Sequence, residues 1–343
     1  MDHKINLDLA HLQLTRRCNL RCKFCGQWGE HGFMRSRAAD PELTVDEWLN
    51  TVDSICDAAP GAVRFTIWGG EPLLSKALHP VLRRIRERGS SAGLVTNGLL
   101  LEQHAEKFAG EIDTLFLSID GIGPTHDRIR GVPGVFERAL AGAAKLPPQV
   151  RVVAMTVICD DNIHEAELLP DILAERIPNL KSCIFAHQMF MNDSGCETYL
   201  RILLDHFGIC AERFEAWRRN DFGMLPAEAA ALCERLGAHH YPVPVRFGPP
   251  MTSGEIRRWY DSSDPIRPPQ CVLPWRHLSI RSDGKVDFCV DFDDFSLGSI
   301  KENSAKALFC GERAAKFRQL IEAAALPCCR RCVWNFQSEP TPD

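Results

Sequence analysis

The chain has 343 residues, of which 45% are hydrophobic, and its 40 Lys and Arg against 45 Asp and Glu give a formal charge of −5. That length suits one large domain with a smaller one beside it, and the absence of a basic block argues against a nucleic-acid partner. Because no apolar run is long enough for a signal peptide or a membrane span, a cytoplasmic protein without a membrane partner is expected.

Short apolar runs alternate with amphipathic segments of helical length from the start of the chain to about residue 187. The candidate strands are His11–Thr15, Arg64–Trp68, Gly93–Thr96, Thr114–Ile119, Arg151–Ile158 and Ser182–Ala186. The candidate helices between them are Val45–Ala58, Leu78–Arg88, Leu101–Phe108, Phe136–Lys145 and Glu165–Glu175. This alternation predicts βαβ units and a parallel α/β sheet, with functional residues in the loops that follow the strands.

The pattern changes after about Asn192. Two helices are expected there, Cys196–Arg219 and Ala227–Leu236, and a Pro-rich passage follows. The final portion is short and rich in cysteine. It begins with the signal of a β-hairpin, His277–Arg281 and Lys285–Cys289, in which Gly284 permits the positive φ of the turn.

Fifteen cysteines in a chain without a secretion signal indicate thiolate metal ligands rather than disulfides. Cys18, Cys22 and Cys25 are separated by three and then two residues, a spacing that suits one loop around a compact iron–sulfur cluster. A [4Fe–4S] cubane has four corners, so three cysteines leave one iron open. Zinc is the alternative, because His31 lies near enough in sequence to complete a four-ligand site.

This CxxxCxxC loop, with Phe24 just before its third cysteine, resembles the signature of the radical S-adenosylmethionine (radical SAM) superfamily. The resemblance implies a partial (β/α)6 TIM-like barrel, here residues 1–190, and an open iron that binds S-adenosylmethionine (SAM). In that family, reductive cleavage of SAM yields a 5′-deoxyadenosyl radical that abstracts a hydrogen atom from substrate. The chemistry belongs to the cofactors, while the protein supplies geometry and excludes water.

Polar and glycine-rich turns follow the predicted strands. The turn Gly69-Gly70-Glu71 resembles the family's motif for the methionine amino group, although a glycine turn after a strand is also common. Arg130 could pair bidentately with the methionine carboxylate, unless it is a solvated arginine at a helix end. The resemblance extends to further candidate contacts with SAM, of which Ser118 is preferred: Phe24, Thr96, Asn97, Ser118 and Asp120. Ordinary turn chemistry is the alternative at the ends of these strands, because Asn-Gly and Asp-Gly are strong turn formers by themselves. Residues expected on the adenine side are Thr156, Val157, His187 and Gln188.

A second group of cysteines occupies the final portion of the chain. Cys271, Cys289, Cys329 and Cys332 provide four soft ligands, a set that fits either a [4Fe–4S] cluster or an all-cysteine zinc site, and Cys328 could replace Cys329. Beside a radical SAM signature, the pattern resembles the Twitch domain, the short version of the SPASM extension, which carries one auxiliary [4Fe–4S] cluster. This resemblance assigns residues 265–343 to a small α+β domain and residues 191–264 to a helical connecting segment. The remaining cysteines have no metal-ligand spacing and are expected to behave as small hydrophobic residues: Cys56, Cys159, Cys183, Cys196, Cys210, Cys233 and Cys310.

Together the two cysteine groups imply an oxidoreductase-type radical SAM enzyme with two [4Fe–4S] clusters. A fully ligated auxiliary cluster would accept an electron from the substrate radical, with a protein base removing a proton. That base is not identified from the sequence. The acidic residues near Cys289 are more often a solvated face: Asp287, Asp291, Asp293 and Asp294.

The substrate class is the least constrained expectation. Only seventeen residues precede Cys18, too few for the peptide-recognition domain of many peptide-modifying relatives, so a small polar metabolite such as a sugar or aminocyclitol is expected. Maturation of a ribosomal peptide is the second possibility, and a non-enzymatic iron–sulfur or zinc protein is the alternative from another class. The expected reductant is an electron donor such as flavodoxin or ferredoxin.

Overall fold

The computed structural model describes residues 5–35, 41–223, 225–261, 266, 271–324 and 326–333. Its strands are β1 (Leu9–Gln13), β2 (Arg64–Trp68), β3 (Ser91–Thr96), β4 (Thr114–Ser118), β5 (Arg151–Val157), β6 (Leu180–Ala186), β7 (Val245–Gly248), β8 (His277–Ile280), β9 (Lys285–Asp287) and β10 (Gly298–Ser299). Its helices are α1 (Val45–Ala58), α2 (Leu78–Glu87), α3 (Pro124–Arg130), α4 (Val135–Ala144), α5 (Leu169–Arg176), α6 (Asp193–Phe207), α7 (Leu225–Ala238), α8 (Ser253–Asp261), α9 (Leu273–Arg276), α10 (Ala305–Cys310) and α11 (Glu312–Ala324). The shorter 3₁₀ segments used below are Arg213–Trp217 and Pro327–Arg331.

All the strands of the described chain belong to one sheet, in the order β10-β9-β8-β1-β2-β3-β4-β5-β6-β7. The strands from β8 through β1 to β7 are parallel to their neighbours, whereas β9 and β10 are antiparallel. The sheet does not close, since β7 and β10 lie at opposite ends of it. It is therefore an unclosed, partial barrel of the expected α/β class.

Alternate residues of the strands have different surroundings. In β3, Ala92 and Leu94 are buried in the same apolar core as Trp48 of α1 and Leu82 of α2, while Gly93 and Val95 are only half-buried. The same alternation runs through β2, β4 and β5. Because side chains of a strand point alternately to its two faces, one face packs on the helices and the other lines the concave side of the sheet.

Most predicted elements lie within two residues of the observed ones, but the predicted helix Cys196–Arg219 is too long. Helix α6 ends at Phe207, where Gly208 takes the left-handed conformation (φ 65°) and terminates it. The chain then forms the 3₁₀ segment Arg213–Trp217. The predicted helix Leu101–Phe108 is likewise wrong in type, since it consists of two short 3₁₀ segments.

The C-terminal hairpin is continuous with the barrel sheet. Strand β8 pairs in parallel with β1, with His277 opposite Leu9 and Ile280 opposite Leu12. This contact fixes the cysteine-rich portion to the strand that leads into the first cysteine loop. The expected boundary between residues 264 and 265 lies outside the described residues. In the described part of the chain, no helix has the length and apolar character needed to cross a bilayer.

Replacing Ile280 by Ala should test whether the hairpin is part of the main core. Ile280 is fully buried, so we expect the Ile280→Ala change to lower the free energy of unfolding by about 2–5 kcal/mol, through lost burial and the cavity left behind. Anaerobic denaturant titration, followed by tryptophan fluorescence, measures this change. Leu204→Ala is the control, because that side chain is 52% exposed. An unshifted main transition with a separate early one would show that the hairpin unfolds independently.

Candidate functional site

The first cysteine loop follows β1, and each of its three sulfurs accepts a hydrogen bond, two from backbone amides near the loop and one from Arg130 at the end of α3. The donors and their distances are Leu20 N to Cys18 Sγ at 3.4 Å, Trp28 N to Cys25 Sγ at 3.4 Å, and Arg130 Nη1 to Cys22 Sγ at 3.7 Å. Hydrogen bonds to sulfur stabilise thiolates and tune an iron–sulfur cluster. The three thiols and their donors therefore fit the ligand set of a cluster.

An apolar wall surrounds these cysteines. Leu20, Leu99 and Val135 are buried together with Cys22 in a small cluster separate from the main core. Burial raises the pKa of the Cys18 thiol to about 12. Such a thiol ionises readily only when a metal binds it, since a coordinating metal deprotonates the thiol outright.

The carboxyl end of helix α3 accepts hydrogen bonds from the backbone of the cysteine loop. The amides of Arg21 and Lys23 donate to the carbonyl oxygens of Arg130 and Ile129, at 3.2 and 3.1 Å. Carbonyls at the carboxyl end of a helix have no partner within the helix itself, so these two are free to accept from the loop. Sequence reasoning did not find this helix, although Pro124 at its first turn and Gly131 just past its end (φ 78°) are its signals.

The Gly69-Gly70-Glu71 turn packs against the backbone that leads into the cysteine loop. The amide of Gly70 donates to Thr15 O at 2.8 Å, and that of Glu71 donates to Arg17 O at 2.8 Å. A side chain at either glycine would collide with these same carbonyls. The glycines thus permit close approach to the protein's own loop, in addition to any approach to a ligand.

Glu71 is fully buried and ties the end of β2 to the end of β3. Its carboxylate accepts from Thr96 Oγ1 at 2.8 Å and from the amides of Asn97 at 2.9 Å and Leu73 at 3.0 Å. Burial raises its pKa to about 6, and these hydrogen bonds limit the rise. Its expected role as acceptor for the SAM ammonium stays a prediction.

Asn97 connects this carboxylate to the cysteine loop. Its side-chain amide donates to Asn19 Oδ1 at 2.9 Å, and Asn19 directly follows Cys18. Two other expected SAM contacts, Ser118 at the end of β4 and Phe24 in the loop, are half-buried. The structure thus connects Glu71, through Asn97, to the residue that follows Cys18.

Arg130 is paired with Asp120 in the structure. The two side chains meet at 2.5 Å, and Asp120 also accepts from the amide of Val157 at 2.8 Å. Burial raises the pKa of the Asp120 carboxyl, and the Arg130 guanidinium opposes that rise. The arginine is thereby held between a carboxylate and Cys22, and its expected pairing with the methionine carboxylate stays a prediction.

The residues expected on the adenine side are also engaged within the protein. Thr156 Oγ1 donates to Ile119 O at 2.6 Å, and Gln188 Nε2 donates to Ile158 O at 3.0 Å. His187 Nδ1 lies 3.1 Å from the hydroxyl of Tyr260. Their role toward adenine stays a prediction.

The second group of cysteines gathers next to the C-terminal hairpin. Burial raises the pKa values of Cys271 (to about 12), Cys289 and Cys332, and the charge of Cys329 adds to the rise at all three. The charges of Cys289, Cys329 and Cys332 likewise add to the rise in the pKa of the buried Cys328 thiol. Among the described residues of the whole chain, no three His, Cys, Asp or Glu side chains converge on the position of a single metal ion.

The acidic residues near Cys289 are not a solvated face, contrary to expectation. Asp287 is 1% exposed and pairs with Arg281 at 3.0 Å, and Asp293 is 8% exposed and pairs with the same arginine at 3.5 Å and with Arg213. Asp294 accepts from the amides that begin the Arg213–Trp217 segment. Sequence alone could not reveal this network, because Arg213 is 80 residues away from its partner along the chain.

Iron content should show whether Cys328 or Cys329 is a ligand of the second cluster. Because the spacing of Cys329 and Cys332 is that of a CxxC pair, we expect the Cys329→Ala variant to lose one cluster on anaerobic reconstitution, from about eight irons to about four. Cys328→Ala should keep about eight, since that buried thiol then acts as packing alone. Iron and sulfide analysis measures both. The reverse pattern would make Cys328 the ligand.

Comparison with known proteins gives two family matches. Residues 12–171 match the model of the radical SAM superfamily, and residues 271–333 match SPASM, an iron–sulfur cluster-binding domain. Similar curated proteins include Fe-coproporphyrin III synthase of Methanosarcina barkeri, 29% identical over 49% of this chain and 41% of that protein. Another is the sporulation killing factor maturation protein SkfB of Bacillus subtilis, 28% identical over 51% of this chain and 40% of that protein. The chain thus spans about two fifths of the length of these relatives.

Solved structures show the same fold over nearly the whole chain. Streptococcus suis SuiB bound to S-adenosylmethionine superposes with a TM-score of 0.61 at 14% identity, over 95% of this chain and 72% of that one. The protein anSMEcpe with bound AdoMet superposes with a TM-score of 0.62 at 18% identity, over 97% of this chain and 92% of that one. At these identities the likeness establishes the fold alone.

Proposed function

Because this chain belongs to the radical SAM superfamily and carries a SPASM domain, we propose that it is an enzyme that oxidises a small polar metabolite by two electrons. Its cofactors are SAM and [4Fe–4S] clusters. The proposal rests on one observation: both cysteine groups lie at the same sheet. Three cysteines follow β1, and four lie beside the hairpin whose strand β8 pairs with β1.

Cys18, Cys22 and Cys25 would hold the SAM-cleaving cluster. When bound, the cluster and SAM supply a 5′-deoxyadenosyl radical. Around that site the protein excludes water with Leu20, Leu99 and Val135, which keeps a reactive radical from side reactions.

Unpartnered polar groups on the concave face support the choice of a polar substrate. Gln13 and Trp68 are opposite each other in β1 and β2, and among the described residues neither Gln13 Oε1 nor Trp68 Nε1 has a hydrogen-bond partner. Gln27, whose amide nitrogen donates to Gly69 O, has a buried oxygen that no group in the described part of the chain contacts by a hydrogen bond. Buried polar groups normally find partners, and hydroxyl or amino groups of a sugar or aminocyclitol would provide them.

A second candidate, peptide maturation, is favoured by one feature of the surface. A pocket opens between the segment after the first cysteine loop and the 3₁₀ segment, lined by His31, Phe33, Glu212, Glu215 and Ala216 among others. Its two glutamates suit a basic peptide segment, since Arg213, which also lines the pocket, is already paired with Asp293. Among proteins of similar fold, SuiB has been crystallised with its precursor peptide SuiA.

The proposed reductant is a small acidic one-electron carrier such as flavodoxin or ferredoxin. The loop from Cys18 to Cys25 and the adjoining helix α3 present cations to solvent, with Lys23 56% and Arg128 52% exposed. Arg17 and Arg21 are exposed on the same loop. These cations, on a chain of net charge −5, would attract an acidic protein to the first cluster.

The cytoplasm is the proposed location. All fifteen cysteines are free thiols in the structure. Free thiols in such number persist in compartments that keep cysteine reduced, and oxygen-sensitive clusters require the same condition.

Formation of 5′-deoxyadenosine tests the enzymatic proposal. With both clusters reconstituted anaerobically, SAM and dithionite should yield 5′-deoxyadenosine, which chromatography with mass detection measures. Cys22→Ala should abolish it, because that residue would hold the cleaving cluster. Cys289→Ala is the matched control and should retain uncoupled cleavage while it stops product formation. Intact clusters without any 5′-deoxyadenosine would favour a non-enzymatic iron–sulfur protein.

Deuterium transfer tests the substrate class. Carbon-deuterated sugars and aminocyclitols should pass one deuterium into 5′-deoxyadenosine, whereas short basic peptides labelled at their Cα and Cβ positions should not. Gln13→Leu should raise KM for the polar substrate and leave uncoupled cleavage unchanged, because it removes a hydrogen-bond acceptor and keeps volume. Transfer from the peptides alone would replace the metabolite proposal with peptide maturation.

A further inference from the structure

Trp217 lies directly against the first cysteine loop. Gly26 follows Cys25, and a methyl group in place of its hydrogen would lie 2.5 Å from Cζ2 and 2.8 Å from Cε2 of the Trp217 indole. The ring therefore occupies the space that a side chain at residue 26 would take. No other glycine in the described chain is contacted in this way by an indole ring.

The same tryptophan reaches the second cysteine group through one further ring. The ring centroids of Trp217 and Phe292 are 5.5 Å apart, at an interplanar angle of 42°. The amide of Phe292 in turn donates to Cys289 Sγ at 3.3 Å. An unbroken series of contacts therefore runs from Cys25 through Gly26, Trp217 and Phe292 to Cys289.

The backbone fixes Trp217 in this position. Its carbonyl accepts from the amide of Met191 at 3.0 Å, and the amide of Arg219 donates to Met191 O at 2.9 Å. The segment from residue 217 to 219 is thus paired with the chain that follows β6. A side chain whose backbone is held by this main-chain bridge is pre-organised, which suits a residue that must keep contact at both ends.

We propose that Trp217 and Phe292 form the route by which an electron passes between the two cluster sites. This inference rests on the proposed function. The π orbitals of packed aromatic rings couple two redox sites better than the σ bonds of aliphatic side chains or a gap filled by solvent. Leucine side chains would therefore keep most of the packing and weaken the coupling.

The electrons balance over one turnover. Loss of a hydrogen atom to the 5′-deoxyadenosyl radical leaves a substrate radical, which then loses one proton and one electron to become the oxidised product. With clusters held by the two cysteine groups, that electron would enter the C-terminal site, cross Phe292 and Trp217 and return to the N-terminal site, where cleavage of the next SAM would consume one electron. The external donor then supplies only the first electron of a series of turnovers.

A single-reduction experiment tests the route without a known substrate. The holoprotein is reduced with dithionite at both clusters, freed of reductant, mixed with SAM and freeze-quenched for EPR spectroscopy. Wild type should lose both reduced-cluster signals and form about two 5′-deoxyadenosines per protein, one for each stored electron. Trp217→Leu and Phe292→Leu should lose the second phase, keep the C-terminal signal and stop at about one 5′-deoxyadenosine.

Controls separate the electron route from simple packing. Trp217→Phe keeps a ring and should behave as wild type, and so should Phe207→Leu, which removes a ring packed on Phe295 and Phe317 away from this series. Cys22→Ala and Cys289→Ala identify which EPR signal belongs to which cluster. An iron content of about eight per protein confirms that a ring variant has assembled both clusters. If Trp217→Leu fails to assemble them, Phe292→Leu provides the test.

Two results would overturn the inference. One is decay of the C-terminal signal in both leucine variants at the wild-type rate. The other is a wild-type C-terminal signal that persists after SAM is cleaved. Decay that slows on dilution of the wild type would assign the exchange to collisions between molecules and would count equally against it. By contrast, a wild type with both clusters that forms no 5′-deoxyadenosine would refute the proposed function itself.

Discussion

The backbone of the first cysteine loop is held from two sides, and the candidate site depends on that restraint. On one side the Gly70 and Glu71 amides donate to the carbonyls of Thr15 and Arg17, and on the other the end of α3 accepts from Arg21 and Lys23. Three thiols can face one cluster only if the residues between them keep their places, since a loop without restraint would lose conformational entropy on binding. Both restraints come from segments that follow strands of the parallel sheet, the turn after β2 and helix α3 after β4.

Because β8 pairs in parallel with β1, the second cysteine group is attached to the same sheet as the first. A separate C-terminal domain on a flexible linker would let the distance between the two sites vary. Here the hairpin extends the sheet, and Leu278 and Ile280 are fully buried in the main core. The separation of the sites is therefore set by the sheet, so that one pair of side chains, Trp217 and Phe292, can span it.

Local patterns predicted much of this arrangement. The spacing of Cys18, Cys22 and Cys25, the period-two strands and the Gly-Gly-Glu turn are each contained in a short stretch of chain, so the sequence displays them directly. The contacts of Trp217 and the ion pair of Arg213 with Asp293 join residues that only the tertiary fold brings together. Helix α3 is an intermediate case, because its Pro and Gly signals are local but its seven residues are too few to show a clear helical period.

A buried arginine–aspartate pair lies next to each cysteine group. The energetics of such pairs indicate that they position side chains rather than stabilise the fold. Arg130 pairs with Asp120 beside Cys22, and Arg281 pairs with Asp287 two residues before Cys289. Desolvation of two charges offsets most of their attraction, so such pairs stabilise a fold little compared with apolar packing. A thiolate-ligated cluster, however, brings negative charge into the same interior, and a fixed guanidinium lowers the cost of placing it there. The paired carboxylate keeps that arginine in place, which explains why both sites contain the two charges together.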